Sequence, residues 1–179
     1  MIEKPNFFAL TGGPGVGKTT VIDHLRAMGE IVVEENARAV IREQAQSGGA
    51  GVPWIDPVVW ADLVLARDLA NFDALAGETR RVFFDRGLAD MYRANDLEPS
   101  AALIQAIRTR RYNPQVFVFP PWREIYETDA ERRQDWPQAE ATFGKILGCL
   151  PELGYAPIVV PKAPVAERSA FVLEHAGWA

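Results

Sequence analysis

The sequence contains almost no cysteine and no apolar stretch long enough to cross a membrane. Cys149 is the only cysteine among 179 residues, so the chain can form no internal disulfide, which favours a reducing cytoplasm. We interpret Cys149 as a small apolar residue of the core. A membrane helix needs about 20 apolar residues, and no segment approaches that length. The N-terminus leads directly into an apolar strand rather than a secretory signal, so we expect a cytoplasmic protein without membrane contact.

Basic residues are also in deficit, and the sequence has no internal repeats. It contains 19 Lys and Arg against 24 Asp and Glu, a net charge of −5. Because binding to nucleic acid needs a basic surface, this balance argues against nucleic acid as a partner. Without repeats, low-complexity tracts or linkers, residues 1–179 are expected to form one domain. Whether this domain is a monomer or a homodimer stays open.

A glycine-rich motif near the N-terminus is the strongest functional signal. Residues 12–19 read GGPGVGKT and fit the phosphate-binding pattern G-x-x-x-x-G-K-[ST]. The apolar run at 7–10 predicts a buried strand before the motif, and a predicted helix after it carries Val21, Leu25 and Met28 on one face. Because strand, glycine loop and helix follow in the order that phosphate binding requires, we favour this interpretation over a glycine-rich turn that happens to carry Lys-Thr.

The motif predicts a nucleotide site. Backbone N–H groups of the loop, together with the unpaired amides at the helix start, form a concave donor site for anionic phosphates. Lys18 would reach the β- and γ-phosphates, and the Thr19 hydroxyl would bind Mg²⁺. The predicted nucleotide-binding residues are Gly12, Gly13, Pro14, Gly15, Val16, Gly17, Lys18, Thr19 and Thr20.

A second informative stretch lies at residues 82–86. The apolar residues 82–84 predict a buried strand, and Asp85 stands at its carboxyl end, as the acid of a Walker B element does. A carboxylate there would hold Mg²⁺ directly or through a water, and the adjacent Arg86 could contact phosphate. The alternative interpretation is a capping Asp85 with Arg86 as its salt-bridge partner.

Along the rest of the chain, predicted strands alternate with predicted helices. This alternation indicates an α/β fold with a parallel sheet and helices on both faces. The helix at 58–76 carries an apolar stripe that we assign to the core (Leu65, Leu69, Phe72, Leu75). Further strands are predicted at 30–33, 115–119 and 157–160, and further helices at 37–46, 88–95, 100–110, 137–150 and 165–176. The glycine-rich segment at 47–54 is either a substrate lid or a plain connection.

Two polar stretches lie where ligands are expected. In a doubly wound sheet, ligands bind beyond the carboxyl ends of the strands, and residues 34–38 (EENAR) follow the second predicted strand there. A capping box at 128–131 predicts a short helix that carries Arg132 and Arg133. These arginines suit a lid, at about 123–136, that closes over transferring phosphates. The alternative is an exposed charged helix balanced by its own acids.

Five stretches of the sequence resemble one protein family. They are TGGPGVGKTT, VVEENAR, FFDRG, PPWREIYETDAERRQ and VPKAPVAERSAFVL. They are similar to bacterial P-loop NTPases and kinases labelled as AAA-domain ATPases or predicted kinases, which are related to nucleoside and nicotinamide riboside kinases. The resemblance implies a three-layer sandwich with a five-stranded parallel sheet in the order 2-3-1-4-5 and a short helical lid. It also implies an adenine pocket between the lid and residues 160–162, and a base at Glu35, with the adjacent Glu34 as the alternative.

The motifs and the resemblance together predict a small-molecule kinase. ATP and Mg²⁺ would donate the γ-phosphoryl group to a hydroxyl of a nucleoside-like or other small acceptor, with GTP left open as the donor. The alternative function is an NTPase whose hydrolysis drives a partner or has a regulatory role. The predicted catalytic residues are Lys18, Glu35, Asp85, Arg86, Arg132 and Arg133. The sequence does not name the acceptor, and the candidate wall residues of its site are Arg38, Arg42, Trp54, Asp90, Tyr92 and Arg93.

Overall fold

The computed structural model describes residues 1–92, 98–125 and 136–177. Its strands are β1 Ile2–Glu3, β2 Phe7–Gly12, β3 Ile31–Val33, β4 Val82–Asp85, β5 Arg110–Arg111, β6 Gln115–Phe119 and β7 Ala156–Val159. Its α-helices are α1 Lys18–Ala27, α2 Asn36–Ser47, α3 Pro57–Ala74, α4 Ala101–Thr109, α5 Trp136–Glu152 and α6 Val165–His175. Short 3₁₀ turns cover Leu88–Met91 and Arg123–Ile125.

A five-stranded parallel sheet organises the chain. Its order is β3-β4-β2-β6-β7, so β2, which leads into the glycine-rich loop, is the central strand. Numbered among themselves along the chain, these strands follow the order 2-3-1-4-5, and the predicted α/β fold class is confirmed. Because all of them run in one direction, the loops after β2, β3 and β4 meet at the same edge of the sheet.

Alternating side chains of the sheet pack into two cores, one on each face. On one face, Phe7 of β2 and Phe84 of β4 pack with Phe72 of α3 and with Tyr112. The centroids of neighbouring rings in this group lie 5.1 Å apart. On the other face, the strands pack against α1 and α6. Helices therefore cover both sides of the sheet.

A separate two-stranded parallel sheet of β1 and β5 is the detail in which the structure differs from the predicted sheet. Ile2 pairs with Arg110, and Glu3 pairs with Arg111. Each strand has only two residues, and both residues of β1 are exposed. Such short strands carry no alternation of apolar and polar residues, so the sequence could not show them.

The predicted helix at 88–95 is wrong within its described part. Only the 3₁₀ turn Leu88–Met91 forms there, and residues 93–97 lie outside the described part of the chain. The Asp90 carboxylate accepts the Gly87 N–H at 2.8 Å. Tyr92 has the extended angles φ −70° and ψ 115°, so the helical path stops at the turn.

Of the three residues predicted to share one face of the first helix, Val21 and Leu25 lie in the core, whereas Met28 is 54% exposed. The reason is that α1 ends at Ala27, before Met28 completes the apolar face. The apolar stripe predicted for the helix at 58–76 does face the core. Leu65 and Phe72 are buried, and Leu69 and Leu75 are half-buried against the same core.

Cys149 is half-buried on α5 instead of fully buried in the core. Within the described ranges, no helix has the length and apolar character needed to cross a bilayer. The capping box at 128–131, Arg132 and Arg133 lie outside the described residues, so the lid stays a prediction.

Candidate nucleotide-binding and catalytic site

The phosphate loop connects β2 to α1, and its backbone requires glycine. Gly12, Gly15 and Gly17 have φ angles of 144°, 73° and 79°, which residues with a side chain rarely adopt. A Cβ on Gly12 would lie 2.7 Å from the carbonyl oxygen of Phe119 on β6, so a larger residue would force the strands apart. The loop ends at the N-terminus of α1, where the helix leaves its first amides unpaired.

Lys18 is the first residue of α1, and its ammonium group lies inside the loop. The side chain is buried, and Nζ donates to the carbonyl oxygens of Gly12 and Gly13, each at 3.3 Å. Burial, with the nearby Arg86 charge, lowers the pKa of Lys18 to about 8. A phosphate group placed in the loop would supply the opposite charge that a buried ammonium needs. The following residue, Thr19, is exposed at the mouth of the loop.

Asp85 ends β4 beside the phosphate loop. It pairs with Leu10 of β2, and its side chain is buried. Burial raises the pKa of its carboxyl, and the Lys18 charge opposes that rise without cancelling it. Within the described ranges, Asp85 Oδ1 has no hydrogen-bond partner. A buried carboxylate oxygen without a partner fits a Mg²⁺ ion or one of its waters, so Asp85 and the Thr19 hydroxyl are the groups suited to hold the metal.

Arg86 directly follows β4 and bonds to β2 and to the start of α2. Its φ of 75° is costly for a residue with a side chain, and such strain clusters at functional sites. Its backbone N–H donates to Leu10 O at 2.9 Å. Its Nε donates to Glu35 Oε1 at 2.8 Å, and its Nη1 donates to Asp90 Oδ1 at 3.2 Å. Burial by itself would lower the pKa of Arg86. The Glu35 and Asp90 charges outweigh burial and raise the pKa above its usual value, so the guanidinium stays protonated.

Asp90 fixes the position of this guanidinium. The Thr11 hydroxyl at the end of β2 donates to Asp90 Oδ1. The Gly87 N–H donates to Asp90 Oδ2 at 2.8 Å. Thr11 of the central strand and Gly87 of the turn therefore fix the Asp90 carboxylate, which in turn accepts from the Arg86 side chain.

The structure separates the two adjacent glutamates after β3. Glu35 lies in the site, where its Oε2 is 3.2 Å from Arg38 Nε and its Oε1 accepts from Arg86. Glu34 is 79% exposed and pairs with Arg26 on the surface, at 2.9 Å. Burial alone would raise the pKa of Glu35, but the Arg86 and Lys18 charges outweigh it and hold the pKa below its usual value. Glu35 is therefore ionised at neutral pH.

Sequence reasoning missed Asp68 of α3 and its partner Asn36 of α2. Asn36 Nδ2 donates to Asp68 Oδ1 at 2.7 Å. Burial raises the pKa of Asp68 to about 6, and the charges of Asp90 and Glu35 add to the rise against the Asn36 hydrogen bond. The missed signal was an acid at position 68, within the apolar stripe that runs from 65 to 75.

Arg168 of α6 was also missed. It is buried against the outer side of the phosphate loop, and its Nη1 lies 3.3 Å from Gly17 O. The signal was again a charged residue on the buried face of a helix, where Ser169 and Val172 are buried beside it.

The other predicted positions contribute unequally. Arg38 and Asp90 join the network around Glu35. Trp54 is 69% exposed, Arg42 is exposed and Tyr92 is half-buried. Of the proposed adenine pocket, residue 160 is buried in the core while 161 and 162 are exposed. Arg93, Arg132 and Arg133 lie outside the part of the chain that is described.

Comparison with known proteins identifies a family and a set of structures with the same fold. The family described as AAA domain (AAA_28) matches residues 7–168. No curated protein matches the sequence. Among solved structures, NadR in complex with NAD and AMP-PNP superposes with a TM-score of 0.66 at 17% identity, over 97% of this chain and 50% of that chain. This chain therefore spans half the length of NadR.

Two further solved structures match nearly their full length. Thymidylate kinase from Ehrlichia chaffeensis has a TM-score of 0.60 at 14% identity, over 94% of this chain and 96% of that chain. Shikimate kinase from Acinetobacter baumannii in complex with shikimate has a TM-score of 0.53 at 16% identity, over 94% and 91%. At these identities the likeness is one of fold. Because the family model matches most of the residues, the chain belongs to the AAA domain family AAA_28, and its fold is that of P-loop kinases.

Proposed function

We propose that this protein transfers the γ-phosphoryl group of ATP, with Mg²⁺, to a hydroxyl of a small, nucleoside-like metabolite. The observation that carries the proposal is the pair of Glu35 and Arg86, an ionised carboxylate bonded to a guanidinium at the edge of the sheet where the phosphate loop opens. Phosphoryl transfer needs a cradle for the phosphates, a metal, a cation on the transferring group and a group that orients the attacking hydroxyl. The site has residues for each of these tasks.

On the nucleotide side, the loop amides and Lys18 would bind the β- and γ-phosphates. Asp85 and the Thr19 hydroxyl would hold Mg²⁺, which neutralises charge between these phosphates when it is bound. Arg86 is fixed by Glu35 and Asp90 at the boundary between the nucleotide side and the acceptor side. A protonated guanidinium there can stabilise the charge that develops on the transferring phosphoryl group.

On the acceptor side, Glu35 would accept the hydrogen bond of the attacking hydroxyl and take its proton as the oxygen–phosphorus bond forms. Its lowered pKa keeps it ionised, as a base must be before reaction. The Asp68 and Asn36 pair lies close enough for the Asp68 charge to act on that of Glu35, and it offers further acceptor and donor atoms for hydroxyl groups. These groups suit a polar acceptor with several hydroxyls.

The ligands of the structural neighbours are compatible with such a reaction. NadR was solved with NAD and AMP-PNP, and shikimate kinase was solved with shikimate. Both structures combine the fold with small ligands that carry hydroxyl groups. They support the class of reaction and leave the acceptor of this protein to be found by experiment.

The test is a screen followed by product analysis. Thermal-shift measurements would first rank nucleosides, vitamins and their monophosphates in the presence of Mg²⁺ and either ATP or GTP. Each hit would then be incubated with the wild type and with Lys18→Ala, and the acceptor examined by mass spectrometry for one added phosphate group. A phosphorylated acceptor formed only by the wild type confirms the kinase. ADP formation that no acceptor stimulates would instead favour the alternative, an NTPase.

A further inference from the structure

Arg168 is a buried cation at the phosphate loop, contributed by the last helix of the described chain. Only 6% of the residue is exposed, and burial lowers the pKa of its guanidinium. Among the residues described, no carboxylate pairs with it, and its Nε atom is buried without a hydrogen-bond partner. Burying a cation in this way is costly, so its position needs an explanation beyond the packing of α6.

The contacts of Arg168 are with the backbone of the loop. Its Nη1 lies 3.3 Å from Gly17 O and 3.4 Å from Val16 O. Its guanidinium also lies over the ring of Trp122, 5.5 Å from the centroid. A Cβ on Gly17 would be only 2.6 Å from Arg168 Nη1. The positive φ of Gly17 requires glycine, and a side chain there would also displace the Arg168 guanidinium from the loop.

These contacts orient two peptide groups of the loop, together with the Val21 N–H of α1, which donates to Gly17 O at 3.4 Å. In a trans peptide the carbonyl and the N–H point in opposite directions. When Val16 O and Gly17 O face Arg168, the N–H groups of Gly17 and Lys18 face away from α6. Successive N–H groups that point to one side form an anion-binding concavity. The guanidinium also offsets the negative ends of the two carbonyl dipoles, which would otherwise repel phosphate.

We propose that Arg168 is a positioning residue of the nucleotide site, which holds the peptide groups on either side of Gly17 with their N–H groups turned towards the phosphates. Arg168 acts through the loop and does not itself touch the nucleotide. The proposal rests on the proposed function only in treating residues 12–19 as the phosphate site. It makes phosphate affinity depend on a contact across 151 residues of sequence.

The test compares Arg168→Met, Arg168→Lys and the control Glu167→Gln, an exposed neighbour on α6. Calorimetry would measure the affinity of each for Mg²⁺-ADP and for Mg²⁺ with inorganic tripolyphosphate, which has no base or sugar. We expect Arg168→Met to weaken both ligands by about tenfold or more, which corresponds to the loss of at least one charge-assisted hydrogen bond. The affinity of Arg168→Lys should lie between those of Arg168→Met and the wild type, because an ammonium keeps the charge but lacks the planar guanidinium group. Glu167→Gln should match the wild type.

Thermal unfolding separates positioning from a general structural role. Replacing a buried cation that has no carboxylate partner by an apolar side chain of similar length need not destabilise a fold, so the affinity of Arg168→Met should fall without a matching fall in Tm. A folded Arg168→Met with wild-type affinity for both ligands overturns the proposal. If that variant does not fold, wild-type affinity in Arg168→Lys overturns it. If neither folds, Arg168 is a core residue and the proposal fails.

The same measurements distinguish this proposal from the kinase function. A wild type that binds Mg²⁺-ADP but phosphorylates no acceptor would remove the kinase while the Arg168 comparison remains decisive. A wild type that phosphorylates an acceptor, with Arg168→Met unchanged in affinity, would retain the kinase and remove the role of Arg168.

Discussion

The guanidinium of Arg86 donates its Nε–H to Glu35 Oε1 at 2.8 Å, across 51 residues of sequence. This bond joins the turn after β4 to the N-cap of α2, and therefore the side of the site that we propose for the nucleotide to the side that we propose for the acceptor. Arg86 also has a left-handed backbone conformation, with φ 75°, which is costly for a residue with a side chain. The pair keeps Glu35 ionised and Arg86 protonated at neutral pH, which are the forms that phosphoryl transfer uses.

Glu35→Gln should abolish acceptor-dependent turnover while leaving nucleotide binding intact. A base that takes the proton of the attacking hydroxyl typically contributes ~10²–10⁴-fold in rate, whereas we propose that Lys18 and the loop amides, which the substitution leaves in place, bind the phosphates. ADP release with and without an acceptor from the screen measures the first effect, and calorimetry with Mg²⁺-ADP measures the second. The matched control is Glu34→Gln, because Glu34 points to the surface. Loss of turnover in Glu34→Gln instead would mean that the assignment is one residue out.

Nucleotide affinity should fall by about tenfold between pH 7 and pH 9. The pKa of Lys18 is about 8, so the fraction of protonated ammonium in the free protein drops by that factor over this range. Calorimetry with Mg²⁺-ADP at pH 7, 8 and 9 would follow the change. Lys18→Met should bind weakly at every pH and lose this dependence. Lys4→Met should keep the wild-type profile, because Lys4 precedes β2 at the end of that strand opposite the phosphate loop. A flat wild-type profile contradicts the role of the Lys18 charge.

Asp85→Asn should raise the Mg²⁺ concentration needed for half-maximal activity more than it lowers affinity for metal-free ATP. An amide oxygen is a poorer Mg²⁺ ligand than a carboxylate, and the unpaired Asp85 Oδ1 is the atom suited to the ion. Titration of activity with Mg²⁺ at saturating ATP would measure the shift. Asp23→Asn provides the control, because Asp23 is exposed and pairs with Arg26 on the surface. An unchanged Mg²⁺ dependence would leave Asp85 with a capping role.

Asp68→Asn should stabilise the fold at pH 8 and change it little at pH 4. The folded-state pKa of Asp68 is raised from 3.8 to about 6, so ionising this carboxyl costs stability as the pH rises through that window. Asparagine has no charge to bury and still accepts the Asn36 hydrogen bond. The gain in the free energy of unfolding at pH 8 should be about 1–3 kcal/mol.

Urea unfolding at the two pH values tests the effect of Asp68→Asn. Asp62→Asn, at an exposed position of the same helix, should show no such difference. If Asp68 binds acceptor hydroxyls, the more stable variant should also have a higher KM for the acceptor and an unchanged KM for ATP. If Asp68→Asn changed the free energy of unfolding by the same amount at pH 4 and pH 8, ionisation of the buried Asp68 carboxyl would carry no cost in stability.

The sequence by itself determined the parts of this protein that depend on neighbouring residues. The strand, glycine loop and helix at 7–27 follow from local backbone demands, because positive φ at Gly15 and Gly17 and a free helix N-terminus are encoded within a few residues. The end of β4 at Asp85 follows from a short apolar run. The alternation of strands and helices was enough to indicate the parallel α/β fold.

Only the tertiary structure decided which side chains meet. Glu34 and Glu35 are equivalent in the sequence, but the path of the chain from β3 into α2 points one to Arg26 on the surface and the other to Arg86 in the site. Arg168 reaches Gly17 only because α6 packs beside α1 on one face of the sheet. Such contacts join residues far apart in sequence, and they depend on how helices cross the sheet, which no local pattern of residues encodes.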